Sequence, residues 1–157
     1  MRYNELTFQG RNAVLEAFRS GKTIDKLFIL DGCQDGPIKS IVREAKKTDA
    51  IINYVDKERL DRLAGTGHHQ GVVAIGAAYE YAEVEDILAA AKEKGEDPFI
   101  FILDEIEDPH NLGAIIRTAN LAGAHGVIIP KRRAVGLTAT VAKTSAGAIN
   151  YTPVAKV

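Results

Sequence analysis

Arg117 and Asn111 are the residues of this chain whose types and surroundings best suit chemistry. Both lie in "EDPHNLGAIIRTANLAGAHG" (107–126), where a short acidic turn leads into a mostly apolar segment. An arginine can stabilise negative charge that develops on an oxygen, but it cannot serve as a base because its pKa lies above about 12. In the alternative interpretation, Arg117 is the polar edge of an amphipathic helix and Asn111 is its N-cap.

That alternative does not explain why a glycine, Gly113, lies inside this predicted helix. Glycine inside a helix costs up to roughly 1 kcal/mol relative to alanine. On a helix, Gly113 lies one turn before Arg117, on one stripe with His110 and Asn120. Long helical side chains lean toward the N-terminus. We therefore expect the missing side chain to leave room for the guanidinium to lie back toward the loop at the helix start.

Four residues of the first half are candidates for contacts to nucleic acid. Arg11 and Asn12 begin a predicted helix, where a phosphate also meets free backbone N–H groups, and Asn12 is expected to be its N-cap. His69 and Gln70 lie in a glycine-flanked loop and are candidates for contacts to bases or sugars. The alternatives are a solvated arginine and a turn that is stabilised by its own hydrogen bonds.

Further cations occur in the second half. "PKRR" (130–133) places Arg132 and Arg133 after a predicted strand, and Lys143 precedes Ser145 in "AKTSAGA". Lys143 and Ser145 either line the same cleft as Arg117 or edge a packing surface of small residues, and an exposed face is the alternative for the arginines. The sequence has no P-loop, GxGxxG motif or Ser-His-Asp order.

Alternating helix and strand signals predict an α/β fold with a small first domain, 1–76, and an acidic connector with an outer helix, 77–96. "FIFIL" (99–103) predicts a central parallel strand that is buried on both faces. In the domain from 97 to 157 we further predict a helix from about 112 to 122, a strand over 126–129, a helix over 137–148 that Thr138 caps, and a last strand with Pro153 at its edge or end.

Composition excludes several classes of protein. The 157 residues carry a net charge of −1 and 46% hydrophobic residues, which is typical of a globular chain. No apolar run approaches the roughly 20 residues of a membrane helix, and no signal peptide begins the chain. The single cysteine, Cys33, excludes an internal disulfide and favours a cytoplasmic location. Adjacent His68 and His69 make a poor metal site, so we expect no metal.

Four segments of the chain resemble one enzyme family. "FQGRNAVLEAF", "HHQGVVA", "LDEIEDPHNLGAIIRTANLAGAHGVIIP" and "KTSAGAINYTPVAKV" resemble the SpoU (TrmH-like) RNA ribose 2′-O-methyltransferases of the SPOUT class, with bacterial 23S rRNA guanosine methyltransferases as the nearest match. The resemblance implies an L30e-like RNA-binding domain over 1–76 and the first part of a trefoil-knot methyltransferase domain over 97–157. It also implies S-adenosylmethionine as cofactor, RNA as partner and a homodimer.

By the same resemblance, Arg117 lies beside the target ribose and Asn111 shapes the catalytic pocket. The family's later motifs, a "GSEG"-like turn and a serine/asparagine stretch, have no counterpart here, so we expect an incomplete chain without the knot or the residues that bind the methyl donor. A tRNA methyltransferase and a non-catalytic RNA-binding protein are the alternatives. A third alternative is a metabolic α/β enzyme that binds an anionic ligand at the loop 104–111.

Overall fold

A computed structural model describes residues 6–157, which form two compact units. We call residues 6–77 the N-terminal unit and residues 78–157 the C-terminal unit. Helices and strands alternate in both, and the sheet of the C-terminal unit is parallel, which confirms the predicted α/β class. Within the described residues, no helix is long and apolar enough to cross a membrane.

The N-terminal unit is a four-stranded sheet with helices on both faces. Its strands run in the order β1-β4-β2-β3, and only β2 and β3 pair in parallel. Alternate residues of β2 face opposite layers, so Leu27 packs with α1 and α2 while Phe28 packs with Leu60 of α3. The elements are β1 (Leu6–Gln9), α1 (Arg11–Arg19), β2 (Ile24–Leu30), α2 (Gly36–Ala45), β3 (Ile51–Val55), α3 (Lys57–Ala64) and β4 (Val72–Gly76).

Gly10, rather than Asn12, is the N-cap of α1. Its φ of 88° is a conformation that glycine adopts without strain, and its N–H donates to the Val72 carbonyl at 3.1 Å. This bond fixes the chain one residue before the helix, so the helix begins at Arg11 and Asn12 is exposed in its first turn. At the start of α3, the Asp56 side chain is the cap, because it accepts from the Arg59 N–H at 2.8 Å.

The C-terminal unit is a three-stranded parallel sheet in the order β5-β6-β7. Helix α4 covers one face, where Ile87 packs with Ile128. Helices α5 and α6 cover the other face, where Ile116 packs with Val127. The elements are α4 (Val84–Glu93), β5 (Ile100–Ile102), α5 (Pro109–Leu121), β6 (Gly126–Ile129), α6 (Ala139–Thr144), a 3-10 helix (Ala148–Asn150) and β7 (Val154–Lys156).

The prediction that "FIFIL" is a central strand buried on both faces is wrong for the described chain. Strand β5 lies at a sheet edge and pairs only with β6. Phe99 is 46% exposed and Ile102 is 75% exposed. A continuous apolar run indicates that a strand tolerates burial on both faces, but it does not say which neighbours cover it.

The last part of the chain follows the prediction with one correction. Thr138 caps α6, since its hydroxyl accepts from the Val141 N–H at 3.3 Å. The helix ends at Thr144 instead of continuing to 148, because Ala146 and Gly147 have φ values of 50° and 88°. Pro153 comes directly before β7, at the end of that strand, which agrees with the predicted edge or end position.

Candidate active-site cleft and nucleic-acid interface

Asp108 fixes the start of α5, the helix that carries both predicted catalytic residues. Its carboxylate accepts from the N–H groups of His110 at 2.7 Å and Asn111 at 3.4 Å, and Pro109 follows as the first helical residue. The predicted start near residue 112 is therefore about one turn late. Asn111 is not the N-cap, and its side chain is exposed in the first turn.

Gly113 allows α5 to pack directly against α6. A Cβ atom at this position would lie 1.8 Å from Thr144 Oγ1, 2.7 Å from Thr144 Cβ and 3.0 Å from the Ser145 nitrogen. Our expectation that this glycine leaves room for the Arg117 guanidinium is wrong, because Thr144 fills the space. Close contact between the two helices is thus the reason for glycine in the first half of α5.

Arg117 lines an open cleft of about 420 Å³ at the C-terminal half of α5. Asn120, one turn further on, lines it too, and the opposite wall is the segment 145–151 that follows α6. The cleft thus places Arg117 beside this segment, whereas the sequence had suggested that its side chain lies back toward the loop after β5. Among residues 6–157, the guanidinium has no hydrogen-bond or ion-pair partner, so its charge is available to a ligand.

The far wall of the cleft contains a strained residue. Ala146 has a φ of 50°, which costs a non-glycine residue roughly 1–2 kcal/mol. The turn is held by the buried Ser145 hydroxyl, which donates to the Ala142 carbonyl at 2.9 Å, and by the Ala148 N–H, which donates to the Ser145 carbonyl at 3.0 Å. Such strain persists where the surrounding structure enforces it, and it concentrates at binding sites.

Asn111 does not line the cleft of Arg117. The two residues are six apart on α5, which separates them by about 9 Å along the helix axis and places them on different sides of it. The structure thus brings Arg117 and Asn120 together and leaves Asn111 apart. Its catalytic role stays a prediction from the family resemblance.

Arg11 and Gln70, two predicted RNA contacts, lie together in the N-terminal unit. The Gln70 side-chain oxygen accepts from the Arg11 N–H at 3.0 Å, and the Gln70 carbonyl accepts from Arg11 Nε at 3.2 Å. Arg11 Nη2 also donates to Asp35 Oδ2 at 2.5 Å. We call Arg11, Asp35 and Gln70 the Arg11 cluster. Its guanidinium is held in one orientation and keeps N–H groups free for a phosphate oxygen.

Asp35 is the member of this cluster that is not predicted from the sequence as a site residue. Its Oδ1 accepts from the Ile38 N–H at 3.2 Å, so it is also the N-cap of α2. "DGP" at 35–37 is typical of a helix start and identifies the cap. The pairing of Asp35 with Arg11 depends on the packing of α1 against α2 and has no local signal.

His69, which precedes Gln70 of the Arg11 cluster, is buried with 5% of its surface exposed. Its Nε2 is 2.8 Å from Asp61 Oδ1, and its Nδ1 accepts from the Gly71 N–H at 3.0 Å. Both ring nitrogens are therefore occupied within the unit. This is the arrangement of the alternative interpretation, a turn held by its own hydrogen bonds, and it keeps Gln70 in place at a φ of 51°.

The remaining predicted RNA contacts are exposed and dispersed. Asn12 follows Arg11 on α1, and Lys143 is exposed on α6 without lining the Arg117 cleft. Arg132 is exposed, whereas Arg133 Nη1 donates to Glu105 Oε1 at 2.8 Å. Their contact with RNA stays a prediction. Within the described residues, no three His, Cys, Asp or Glu side chains are grouped to bind a metal ion.

The Arg117 cleft offers no counter-charge to the sulfonium group of S-adenosylmethionine. Among residues 6–157, no carboxylate lines the cleft, and the arginine places a positive charge there. A group that carries negative charge, such as an alkoxide or a phosphate, suits the cleft better.

Two family models match the chain. Residues 9–82 match the model for RNA 2′-O ribose methyltransferase substrate binding, and residues 98–157 match that of the SpoU rRNA methylase family. Together they span most of the sequence. The chain belongs to the SpoU family.

Relatives in this family are similar along almost the whole chain. YacO of Bacillus subtilis (strain 168), assigned to the TrmH family of tRNA/rRNA methyltransferases, is 55% identical over 148 residues, which are 94% of this chain and 59% of YacO. A TrmH family tRNA/rRNA methyltransferase of Staphylococcus haemolyticus (strain JCSC1435) is 48% identical over 153 residues, 98% of this chain and 61% of the relative. The chain thus spans about three fifths of the length of these relatives.

Solved structures of SpoU-type enzymes are more distant. The AdoMet-bound rRNA methyltransferase of Sinorhizobium meliloti is 24% identical, with 96% of this chain and 54% of that chain covered and a TM-score of 0.43. The SpoU methyltransferase AviRb of Streptomyces viridochromogenes, in complex with AdoMet, is 21% identical, with 98% and 54% covered and a TM-score of 0.44. Similarity at this level assigns no function.

Proposed function

We propose that this chain is part of an enzyme that methylates the 2′-hydroxyl of an RNA ribose, and that Arg117 acts on that hydroxyl. The observation that carries the proposal is the free Arg117 guanidinium at an open cleft of the unit that matches the methylase family. Because the chain spans about three fifths of its relatives, the activity belongs to the whole enzyme.

The proposed reaction needs a cation at this position. A ribose hydroxyl is a weak nucleophile that must lose its proton as it attacks a methyl group, so negative charge develops on its oxygen. A fixed guanidinium beside that oxygen stabilises the charge, by an amount that rises as water is excluded. Arg117 itself does not take the proton, because arginine stays protonated. We assign it stabilisation and positioning, with an RNA phosphate as the candidate proton acceptor.

The N-terminal unit is proposed to hold the RNA. The Arg11 cluster supports this, because a guanidinium fixed by two neighbours presents its free N–H groups to a phosphate with little loss of side-chain entropy. The match of residues 9–82 to the substrate-binding model supports the same assignment. Asp35 partly neutralises Arg11, so we expect the cluster to orient the bound RNA more than to increase the affinity for RNA.

The finer assignments come from the family resemblance. We propose a guanosine of 23S rRNA as the target, S-adenosylmethionine as the methyl donor and a homodimer as the active form. The names of the curated relatives include both tRNA and rRNA, which favours tRNA as the second candidate substrate. No residue described above is assigned to the donor.

A methyl-transfer assay with the full-length enzyme tests the proposal. Tritiated S-adenosylmethionine is incubated with 23S rRNA fragments or tRNA, and the product is mapped by its resistance to alkaline cleavage, which a 2′-O-methyl group confers. The matched control is the same RNA with a 2′-deoxyribose at the mapped nucleotide. We expect the control to accept no label. Labelling of the deoxy control would place the methyl group on a base and contradict the proposed acceptor.

A further inference from the structure

A groove on the N-terminal unit combines an exposed aromatic ring with a row of cations. It has a volume of about 440 Å³ and lies between α2 and the edge strand β3. Tyr54 of β3 is 57% exposed at this groove. Ile52, two residues earlier on the same face of β3, packs against the core formed by α1 and α2. Tyr54 therefore lies just beyond the part of the sheet that α2 covers. We call this site the α2 groove; it is lined by Cys33, Gln34, Ile38, Lys39, Val42, Arg43, Lys46 and Tyr54.

The cations of the α2 groove form one continuous stripe. Lys39, Arg43 and Lys46 are spaced by four and three residues, so they follow one side of α2 over about 10 Å. Among the described residues, Lys39 and Lys46 have no ion-pair partner. Within the described part of the chain, Arg43 pairs only with Glu44, at 3.9 Å, and that carboxylate is held by Lys47 at 2.9 Å. Among residues 6–157, no carboxylate lines the groove, so its field is positive although the chain carries a net charge of −1.

We propose that the α2 groove binds single-stranded RNA, with a base stacked on Tyr54 and phosphates along Lys39, Arg43 and Lys46. Proteins hold single strands by this combination, in which aromatic side chains stack with bases and a positive groove follows the backbone. An acidic peptide would use the cations but would leave the ring without a partner, so the groove favours a nucleotide chain. The inference rests on the RNA-binding role proposed for this unit.

The groove continues from the Arg11 cluster. Cys33 and Gln34 line one end of the groove, and Asp35 of the cluster is the next residue. Cys33 Sγ also approaches Gly71, the neighbour of Gln70, and would lie 3.2 Å from a Cβ atom there. Because Asp35 also caps α2, the cluster lies at the start of the helix that carries the stripe, and we expect a strand whose phosphate meets Arg11 to continue along α2. The α2 groove thus lengthens the proposed RNA contact from a single cluster to a track.

Substitutions at Tyr54 test the stacking. The probe is a fluorescein-labelled, unstructured single-stranded RNA of mixed sequence, and its Kd is measured by fluorescence anisotropy. We expect Tyr54→Ala to weaken binding by about 5- to 100-fold, and Tyr54→Phe, which keeps the ring, to change it by less than about threefold. Tyr54→Trp introduces the only tryptophan of the chain, and its fluorescence should be quenched as the RNA saturates. Wild-type affinity in Tyr54→Ala together with unchanged tryptophan fluorescence would overturn the proposal.

Salt dependence tests the cations. Replacing Lys39, Arg43 and Lys46 by glutamine should reduce the slope of log K against log salt by about 2, since each phosphate contact on a single strand contributes about 0.7. Lys57→Gln is the control, because Lys57 is exposed on α3 and lies outside the groove, and it should leave the slope unchanged. An equal effect of both changes would show a general charge effect and contradict a specific track.

Two outcomes separate this inference from the proposed function. If the wild-type chain binds the RNA probe while all Tyr54 variants bind equally, the inference fails and the RNA-binding role stands. If the wild-type chain does not bind RNA, the role proposed for the unit fails as well. Displacement of the RNA by polyglutamate at equal concentration, from wild type and Tyr54→Ala alike, would indicate a protein partner for the groove and overturn the inference.

Discussion

Replacing Gly113 by alanine tests how the Arg117 cleft is built. The new Cβ would lie 1.8 Å from Thr144 Oγ1, and rotation of that hydroxyl cannot relieve the clash, because Thr144 Cβ itself would be 2.7 Å away and the Ser145 nitrogen 3.0 Å away. Helix α5 must therefore move away from the start of the 145–151 segment. Since this segment is the wall opposite Arg117, the change should alter both stability and the cleft.

The expected loss of stability is a difference of two opposing effects. Overpacking a tight contact costs roughly 1–3 kcal/mol, and contacts this short place Gly113→Ala near the upper end. Alanine regains about 1 kcal/mol of helix propensity. The net destabilisation of about 2 kcal/mol corresponds to a fall in Tm of roughly 8–16 °C for a unit of this size.

Thermal unfolding followed by circular dichroism measures this effect. Gly36→Ala is the matched control, since Gly36 is also helical, its φ is not positive, and a Cβ there meets nothing within 4 Å. We expect no fall in Tm for the control. The double variant Gly113→Ala/Thr144→Ala removes the shortest contact, so it should recover part of the loss in a double-mutant cycle. A Tm for Gly113→Ala at or above wild type would refute the packing argument.

Three further predictions concern contacts within the individual units. Asp108→Ala should destabilise the C-terminal unit by about 1 kcal/mol through the loss of the α5 cap, measured by chemical denaturation; no change would contradict the assigned cap. His125→Ala should cost about 1–3 kcal/mol in the same assay, because its buried Nδ1 accepts from the Phe99 N–H at 3.0 Å, and Glu96→Gln, which keeps an acceptor at Nε2, should cost less. Equal losses would contradict that ranking. The hydrogen bond from Lys47 lowers the pKa of Glu44, so this side chain favours folding above its unfolded pKa and loses that contribution as the pH falls through its lower folded pKa. Lys47→Gln should raise the pKa toward its ordinary value in an NMR titration, and an unchanged value would exclude Lys47 as the cause.

Local signals in the sequence predict which segments form helices and strands better than they predict which of these elements pack or pair with each other. The helix that carries Arg117 and the strands on either side of it are predicted from periodicity and apolar runs. Its start is missed by about one turn, although "EDP" at 107–109 contains the Asp108 cap and the proline that follows it. The position of β5 at an edge is not predicted, because an apolar run does not identify the strands that pair with it.

The candidate sites depend on contacts between distant residues, and this limits what the sequence predicts. Arg117 and Arg11 are identified by residue type and position near a helix. The partner of Gly113 is 31 residues away on α6, and that of Arg11 is 24 residues away at the start of α2. Neither contact leaves a periodic pattern in the sequence, so the sequence alone does not identify it. The burial of His69 is likewise set by Asp61 and Gly71, which the glycine-flanked loop does not indicate.

The most direct test of the central claim is a single-turnover measurement of methyl transfer by the full-length enzyme with Arg117→Ala, alongside Arg117→Lys and the Kd for RNA. We predict that the alanine variant transfers methyl groups about 100- to 1000-fold more slowly, as for the loss of a group that stabilises developing charge, with RNA affinity changed by only a few fold. The lysine variant should recover part of the rate because it keeps the charge. The recovery should be incomplete because lysine lacks the planar geometry of the guanidinium. Transfer by Arg117→Ala at a rate near that of the wild type would contradict the account.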